Sequence, residues 1–153
     1  MRQSFGTVVL SLASLFGILT AWLAATQPGN FAARLGLAIS NAGGINEVRA
    51  QYAGFFLAVS LVCIATLFGG LSRQTAFIVL VVVFAGLISG RLVSLVLNHG
   101  TSGYPPTILA LYTIDSIGRL LSLIALKLNR LQRSSRQKPR SSRVWHEEGT
   151  HKQ

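Results

Sequence analysis

Residues 75–97 read TAFIVLVVVFAGLISGRLVSLVL. Apart from a few small hydroxyl side chains, the stretch is apolar and contains one charged residue, Arg91. A helix of about 20 such residues crosses the roughly 30 Å of hydrocarbon in a bilayer. The stretch therefore predicts a transmembrane helix, and a charge inside such a helix needs a partner in the protein.

Three further apolar blocks accompany this one, separated by short polar breaks. The predicted helices cover residues 5–25, 46–70, 75–97 and 106–128. Half of the 153 residues are hydrophobic and the mean hydropathy is +0.52. A soluble domain of this composition has too little polar surface to cover itself. We therefore predict an all-α integral membrane bundle of four transmembrane helices.

The first block and its connection to the second carry secondary signals. Arg2 precedes the block and Ala24 and Ala25 lie near its end, as in a cleaved signal peptide. The apolar run is long for that role, and Trp22 is typical of an interfacial anchor, so we expect the block to be retained. Residues 27–45 mix apolar and polar side chains and predict a short amphipathic helix at the membrane surface.

Lysine and arginine are distributed unevenly, with a formal net charge of +10. Arg73 and the basic segment 129–153 fall on one side of the predicted bundle, and Arg34 is alone in the opposite connections. Both termini are therefore expected in the cytoplasm. Segment 129–153 is predicted to be a disordered tail that contacts anionic lipid headgroups. A basic cluster placed here is typical of a topology signal, so no specific nucleic-acid binding is expected.

Polar side chains recur at helical spacing in three of the predicted helices. The predicted cluster comprises Asn46, Glu47, Arg49, Tyr52, Arg91, Ser94, Asn98, Tyr112, Asp115 and Arg119. Residues three, four and seven apart share one face of a helix. Because charged side chains that face lipid are costly, we expect these faces to meet in the outer half of the bundle.

The expected pairs are Asp115 with Arg119 along the helix, and Asp115 or Glu47 with Arg91 across helices. Asn46 is expected to cap the second helix. Two interpretations stay open for the cluster: a closed network that fixes helix register, or a pocket for a small ligand or lipid headgroup. The three arginines and two carboxylates sum to +1, which favours an anionic group. A third interpretation is an interface with another membrane subunit.

Glycines on the third and fourth helices predict helix packing. Gly86 and Gly90 are four residues apart, a spacing that lets a second helix approach closely, and Gly118 is a further candidate. The chain shows no cysteine–histidine cluster, phosphate-binding loop or nucleophile elbow. We therefore predict no metal, no cofactor and no catalytic residue.

The motif Asn46-Glu47-x-Arg49-Ala50-x-Tyr52-x-Gly54, with a later Gly90-Arg91-x-x-Ser94, resembles a bacterial membrane-protein family called domain of unknown function 4345. The resemblance covers about residues 5–128 and implies four helices in the bacterial inner membrane, with Asp115 as the carboxylate of the fourth helix. Asn98 and His99 replace the acidic residue that the family carries before a glycine. The family supplies no activity.

Three functions are compatible with these patterns. The first is a non-catalytic membrane protein whose polar cluster binds a small amphiphile, a lipid headgroup or a partner. The second is an accessory or assembly subunit of a larger membrane complex. The third is an intramembrane enzyme that uses Asp115 or Glu47 as acid or base, which the neighbouring arginines disfavour because they keep a carboxylate ionised.

Overall fold

The computed structural model describes residues 2–97 and 104–137, and these ranges contain helices and no strand. The helices are α1 (Arg2–Thr26), α2 (Pro28–Arg34), α3 (Ala42–Val48), α4 (Phe55–Leu67), α5 (Arg73–Leu97) and α6 (Pro106–Gln137). A π-helical segment, Arg49–Gly54, joins α3 to α4, so that Ala42–Leu67 runs as one continuous helix. Within the described residues, four helices are long and apolar enough to cross a membrane: α1, the Ala42–Leu67 helix, α5 and α6.

The short helix expected between the first two blocks is present but ends early. Pro28 begins α2, where its fixed φ suits the first helical position. Gly36 then adopts a φ of 75° and reverses the chain, a conformation that glycine reaches without strain. The amide of Leu37 donates to the carbonyl of Ala32 at 2.9 Å, which satisfies one of the last carbonyls of α2.

The start of the second long helix differs from the prediction. Asn41, not Asn46, is the cap: its side-chain oxygen accepts a hydrogen bond from the amide of Gly44 at 2.9 Å. Gly43 and Gly44 lie in the first turn, where the amides have no helical partner and an asparagine cap stabilises them. Asn46 and Glu47 follow that first turn, and both side chains are exposed.

The last helix is longer than predicted, because α6 continues to Gln137 and does not end at Leu128. Residues 129–137 contain leucine, glutamine and arginine, which are good helix formers, and no glycine or proline. Pro139 is the first proline after Pro106, and the residue before a proline is disfavoured in a helix. Residues 138–153 of the predicted tail lie outside the described residues.

Helix packing is uneven around the bundle. The first helix, α1, packs along the Ala42–Leu67 helix and along α6, whereas α5 packs mainly on α6 and meets α4 at few positions. The core near Arg73 is closed by fully buried side chains, among them Leu10, Cys63 and Phe77. Towards the other end, which we call the Arg91 end, the sparse contact between α4 and α5 leaves space inside the bundle.

Candidate functional site

An ion pair joins α5 to α6 near the Arg91 end. The Nε of Arg91 donates to Oδ2 of Asp115 at 2.7 Å. The side chains are 20% and 5% exposed, respectively, so the carboxylate is almost completely buried. The pairing expected across helices between Arg91 and Asp115 is therefore formed. Because a buried charge without a partner is strongly destabilising, loss of either charge is expected to lower the stability of the fold.

Tyr112 holds Arg91 from a second side. Its hydroxyl donates to the backbone carbonyl of Arg91 at 2.9 Å. The guanidinium carbon of Arg91 lies 5.7 Å from the centre of the Tyr112 ring, within the range of a cation–π interaction. Within residues 2–97 and 104–137, the terminal nitrogens of Arg91 have no protein hydrogen-bond partner. Those N–H groups are the donors that the site leaves for a ligand.

The start of α6 is tied back to α5 at the same end. The hydroxyls of Ser94 and Tyr104 lie 2.7 Å apart and share a hydrogen bond. Pro105 lies beside Gly36, where a β-carbon on the glycine would be 3.4 Å from the proline ring. These contacts bring the turn after α2 and the start of α6 together above Arg91.

A cavity of about 580 Å³ opens beside Arg91 and is called here the Arg91 cavity. Its lining comprises Leu35, Gly36, Tyr52, Gly86, Leu87, Gly90, Arg91, Ser94, Tyr104, Pro105, Ile108 and Tyr112. Gly86 and Gly90 were predicted to pack against another helix, but a β-carbon at either position would meet no atom within 4 Å. The sparse packing between α4 and α5 leaves these glycines as a wall of the cavity.

A second cavity, of about 320 Å³, lies deeper in the bundle and is called the apolar cavity. All four long helices line it: Val9, Leu12, Ala13, Phe16, Gly17, Phe56, Val59, Leu80, Val83, Phe84, Leu87, Ile114, Ile117, Gly118, Leu121 and Ser122. Leu87 lines both cavities, so one adjoins the other. Both volumes fall in the range of about 300–1,000 Å³ found for ligand pockets.

The remaining charged members of the predicted cluster do not join it. Glu47 is exposed and forms no ion pair among the described residues. Arg49 is exposed, and its Nε donates to the carbonyl of Ala25 at 3.2 Å, in the last turn of α1. A cation there satisfies a terminal carbonyl and complements the helix dipole.

Arg119 is also exposed, and the predicted pair with Asp115 is not formed. Residues four apart differ by about 40° around a helix, and here that rotation separates a buried carboxylate from an exposed arginine. Asn98 lies outside the described residues. The predicted surplus of one positive charge therefore does not apply to the cavity, where the charges of Arg91 and Asp115 cancel.

Tyr52 reaches the cavity from the π-helical segment. Its ring packs edge-on against Phe31 of α2, with 5.1 Å between the ring centres. The sequence placed Tyr52 in the site, but it did not indicate Leu35, Gly36 or Tyr104. A glycine after a short helix was the available signal for the turn at Gly36; nothing in the sequence marked Tyr104 as a neighbour of Ser94.

Two other glycines do lie at close helix contacts. A β-carbon on Gly118 would lie 2.5 Å from the ring of Phe84, so this glycine lets α5 approach α6. A β-carbon on Gly17 would collide with the hydroxyl of Ser60, so it lets α1 approach α4. Sequence reasoning missed Gly17, although small residues at every fourth position, Ala13 and Ala21 among them, mark this face of α1.

The geometry places a buried ion pair beside two adjoining cavities, one of them apolar. Comparisons of the chain with family models, with curated proteins and with solved structures found no match. The resemblance to the family of unknown function stays a prediction.

Proposed function

We propose that the protein is a multi-pass protein of the bacterial inner membrane that binds a small amphiphile, without catalysis, in its two adjoining cavities. The observation that carries the proposal is that Leu87 lines both of them. The Arg91 cavity holds the polar end of the ligand, and the apolar cavity holds its chain. Both termini lie in the cytoplasm, so the Arg91 end faces outward.

The dimensions of the paired cavities support an amphiphile. From Leu80 in the apolar cavity to Ser94 in the Arg91 cavity, α5 rises by about 21 Å at about 1.5 Å per residue. One leaflet contributes about 15 Å of the roughly 30 Å hydrocarbon core. A single chain as long as one leaflet, with a compact polar head, therefore matches the space.

The placement of the carboxylates supports a non-catalytic role. Asp115 is buried against Arg91 and lines neither cavity, and Glu47 lines neither cavity. A general acid or base has to reach the reacting atom directly or through one water. Neither carboxylate lines a cavity, so neither is placed to contact a ligand there directly.

A second candidate function is that of a subunit in a larger membrane complex, favoured by the exposed side chain of Arg119. Its neighbours Ile117 and Leu120 are exposed apolar residues on the same helix. An arginine that faces outward within a membrane span is stabilised by an acidic partner or by reaching the headgroups. An acidic membrane helix of another protein would satisfy Arg119.

The test is native mass spectrometry of the tagged chain in mild detergent, with identification of bound lipids. Gly90→Leu places a side chain in the Arg91 cavity from a position where a β-carbon meets no atom within 4 Å, and we expect it to lose the bound amphiphile. Gly29→Leu is the matched control, because Gly29 also has open space within 4 Å and lies outside both cavities. Equal amounts of amphiphile in both variants would overturn the proposal. A stoichiometric partner protein in place of a bound lipid would support the second candidate.

A further inference from the structure

The positive charge of Arg91 in the Arg91 cavity is already neutralised by the carboxylate of Asp115. Asp115 lies 2.7 Å from Nε of Arg91, and both charges are largely removed from solvent. A guest anion at the terminal nitrogens would be attracted by Arg91 and repelled by the carboxylate behind it. Entering the bundle would also remove the anion from water. The free energy of desolvation is larger for an anion than for a neutral polar group, and a free counter-charge is needed to offset it.

Among the residues that the structure describes, no other charged side chain lines the cavity. Its lining residues are apolar or uncharged, apart from Arg91. Arg34 is next to lining residue Leu35, and Glu47 and Arg49 are near the same end, but all three charged side chains are exposed. Glu47 and Arg49 are of opposite sign, and none of the three lines the cavity. The cavity therefore offers a guest almost no net charge.

The cavity does offer hydrogen-bond donors. Arginine carries five N–H groups in a planar fork, and the ion pair uses the one on Nε of Arg91. The N–H groups of the two terminal nitrogens have no partner in residues 2–97 and 104–137, and they lie beside an apolar wall that includes Leu87 and Gly90. A carbonyl oxygen accepts such hydrogen bonds without bringing a charge into the bundle.

We propose that the amphiphile bound in the two cavities has a neutral head with a carbonyl acceptor, which takes the terminal N–H groups of Arg91, and a single apolar chain. This inference rests on the proposed function and specifies its ligand class. Asp115 is a positioning residue: it fixes the guanidinium of Arg91 and cancels its charge, and thereby selects against fatty acids and other anions. The carbonyl belongs either to the ester of a neutral lipid or to a quinone ring.

The test compares ligands of equal chain length on the purified full chain in a neutral detergent at pH 8. The probes are monolauroylglycerol, dodecylbenzoquinone and laurate, and the bound fraction is measured by native mass spectrometry. We expect at least one neutral probe to bind about tenfold more tightly than laurate. Tighter binding of laurate than of both neutral probes would overturn the inference and leave the proposed function standing. Binding of none of the three would overturn the proposed function and the inference with it.

Asp115→Asn tests the selecting role of the carboxylate. The amide still accepts a hydrogen bond from Nε of Arg91 but carries no charge, so we expect laurate binding to rise about tenfold while neutral probes change little. Unchanged selectivity in a folded Asp115→Asn variant would overturn the role assigned to Asp115.

Arg91→Gln is the second variant and retains amide donors: we expect it to keep weak binding of the neutral probes and to gain no laurate binding. Tighter laurate binding in Arg91→Gln than in the wild-type chain would overturn the assignment of Arg91 as donor.

Discussion

At the scale of single residues, Arg91 combines an ion pair, an aromatic contact and a backbone acceptor. Its Nε is held by Asp115, its guanidinium lies over the ring of Tyr112, and its carbonyl accepts the tyrosine hydroxyl. Two residues of α6 thus fix both the side chain and the backbone of one residue of α5. An arginine so held keeps a defined direction, which a binding site needs and which an exposed residue such as Arg119 lacks.

Arg91→Met is predicted to lower the free energy of unfolding by about 3–5 kcal/mol, because it leaves the charge of Asp115 buried without a partner. Arg119→Met is the control: the side chain is exposed and unpaired within the described residues, so its loss leaves no buried charge without a partner and a much smaller decrease is expected. Asp115→Asn added to Arg91→Met should recover part of the loss, since no buried charge remains. Unfolding titrations in detergent measure all three, and equal losses in the two arginine variants would contradict a buried pair.

At the scale of elements, the helix glycines are of two kinds: some lie where a second helix approaches closely, and others line a cavity. Gly118 faces the ring of Phe84 where α5 and α6 approach closely, whereas Gly90 faces the Arg91 cavity. The π-helical segment Arg49–Gly54 also contributes to the site. Tyr52 of this segment lines the cavity, and Arg49 donates to the carbonyl of Ala25 at the end of α1. Such segments inside long helices are frequent at functional sites.

Gly118→Ala is predicted to destabilise the bundle by about 1–3 kcal/mol, since the new methyl group would overlap the Phe84 ring and force α5 away from α6. Gly90→Ala is the matched substitution at an open position, and it is expected to be neutral or to stabilise by up to about 1 kcal/mol through helix propensity. Thermal unfolding followed by circular dichroism distinguishes them. The opposite order of stabilities would show that the close contact and the cavity have been assigned to the wrong glycines.

At the scale of the whole molecule, charge is segregated between the two ends of the bundle. Arg73, Lys127 and Arg130 lie at one end, and Arg34 lies at the other. Lysine and arginine are retained on the cytoplasmic side of bacterial membranes. In the proposed orientation the Arg91 cavity faces outward, and the proposed ligand enters from the outer leaflet.

The orientation predicts which introduced thiols react in intact cells. Ser40→Cys, at an exposed position before α3, should react with a membrane-impermeant maleimide from outside. Leu71→Cys, at an exposed position between α4 and α5, should react only after the membrane is permeabilised. The native Cys63 is fully buried and serves as the unreactive background. Labelling of Leu71→Cys and not of Ser40→Cys in intact cells would invert the topology and place the cavity on the cytoplasmic side.

Sequence patterns predicted the helical class and the four long apolar helices, because transmembrane helices need a length and a composition that one sequence displays directly. They also gave Asp115 as one of two candidate partners of Arg91, with Glu47 as the other, since few charges occur in the apolar blocks. They failed at Glu47, Arg49 and Arg119. Spacing along a helix indicates which residues share a face, but it does not indicate which face is turned towards the neighbouring helix.

The sequence by itself determined that the chain forms long apolar helices, that a buried arginine requires a carboxylate, and that few carboxylates exist to meet that requirement. Only the tertiary structure decided that Gly86 and Gly90 border a cavity, whereas Gly17 and Gly118 lie where two helices approach closely. The physical reason is that a small residue permits a close approach without causing one. Whether the space beside it is filled depends on how all four helices pack, and here α5 packs on α6 and leaves its other side open.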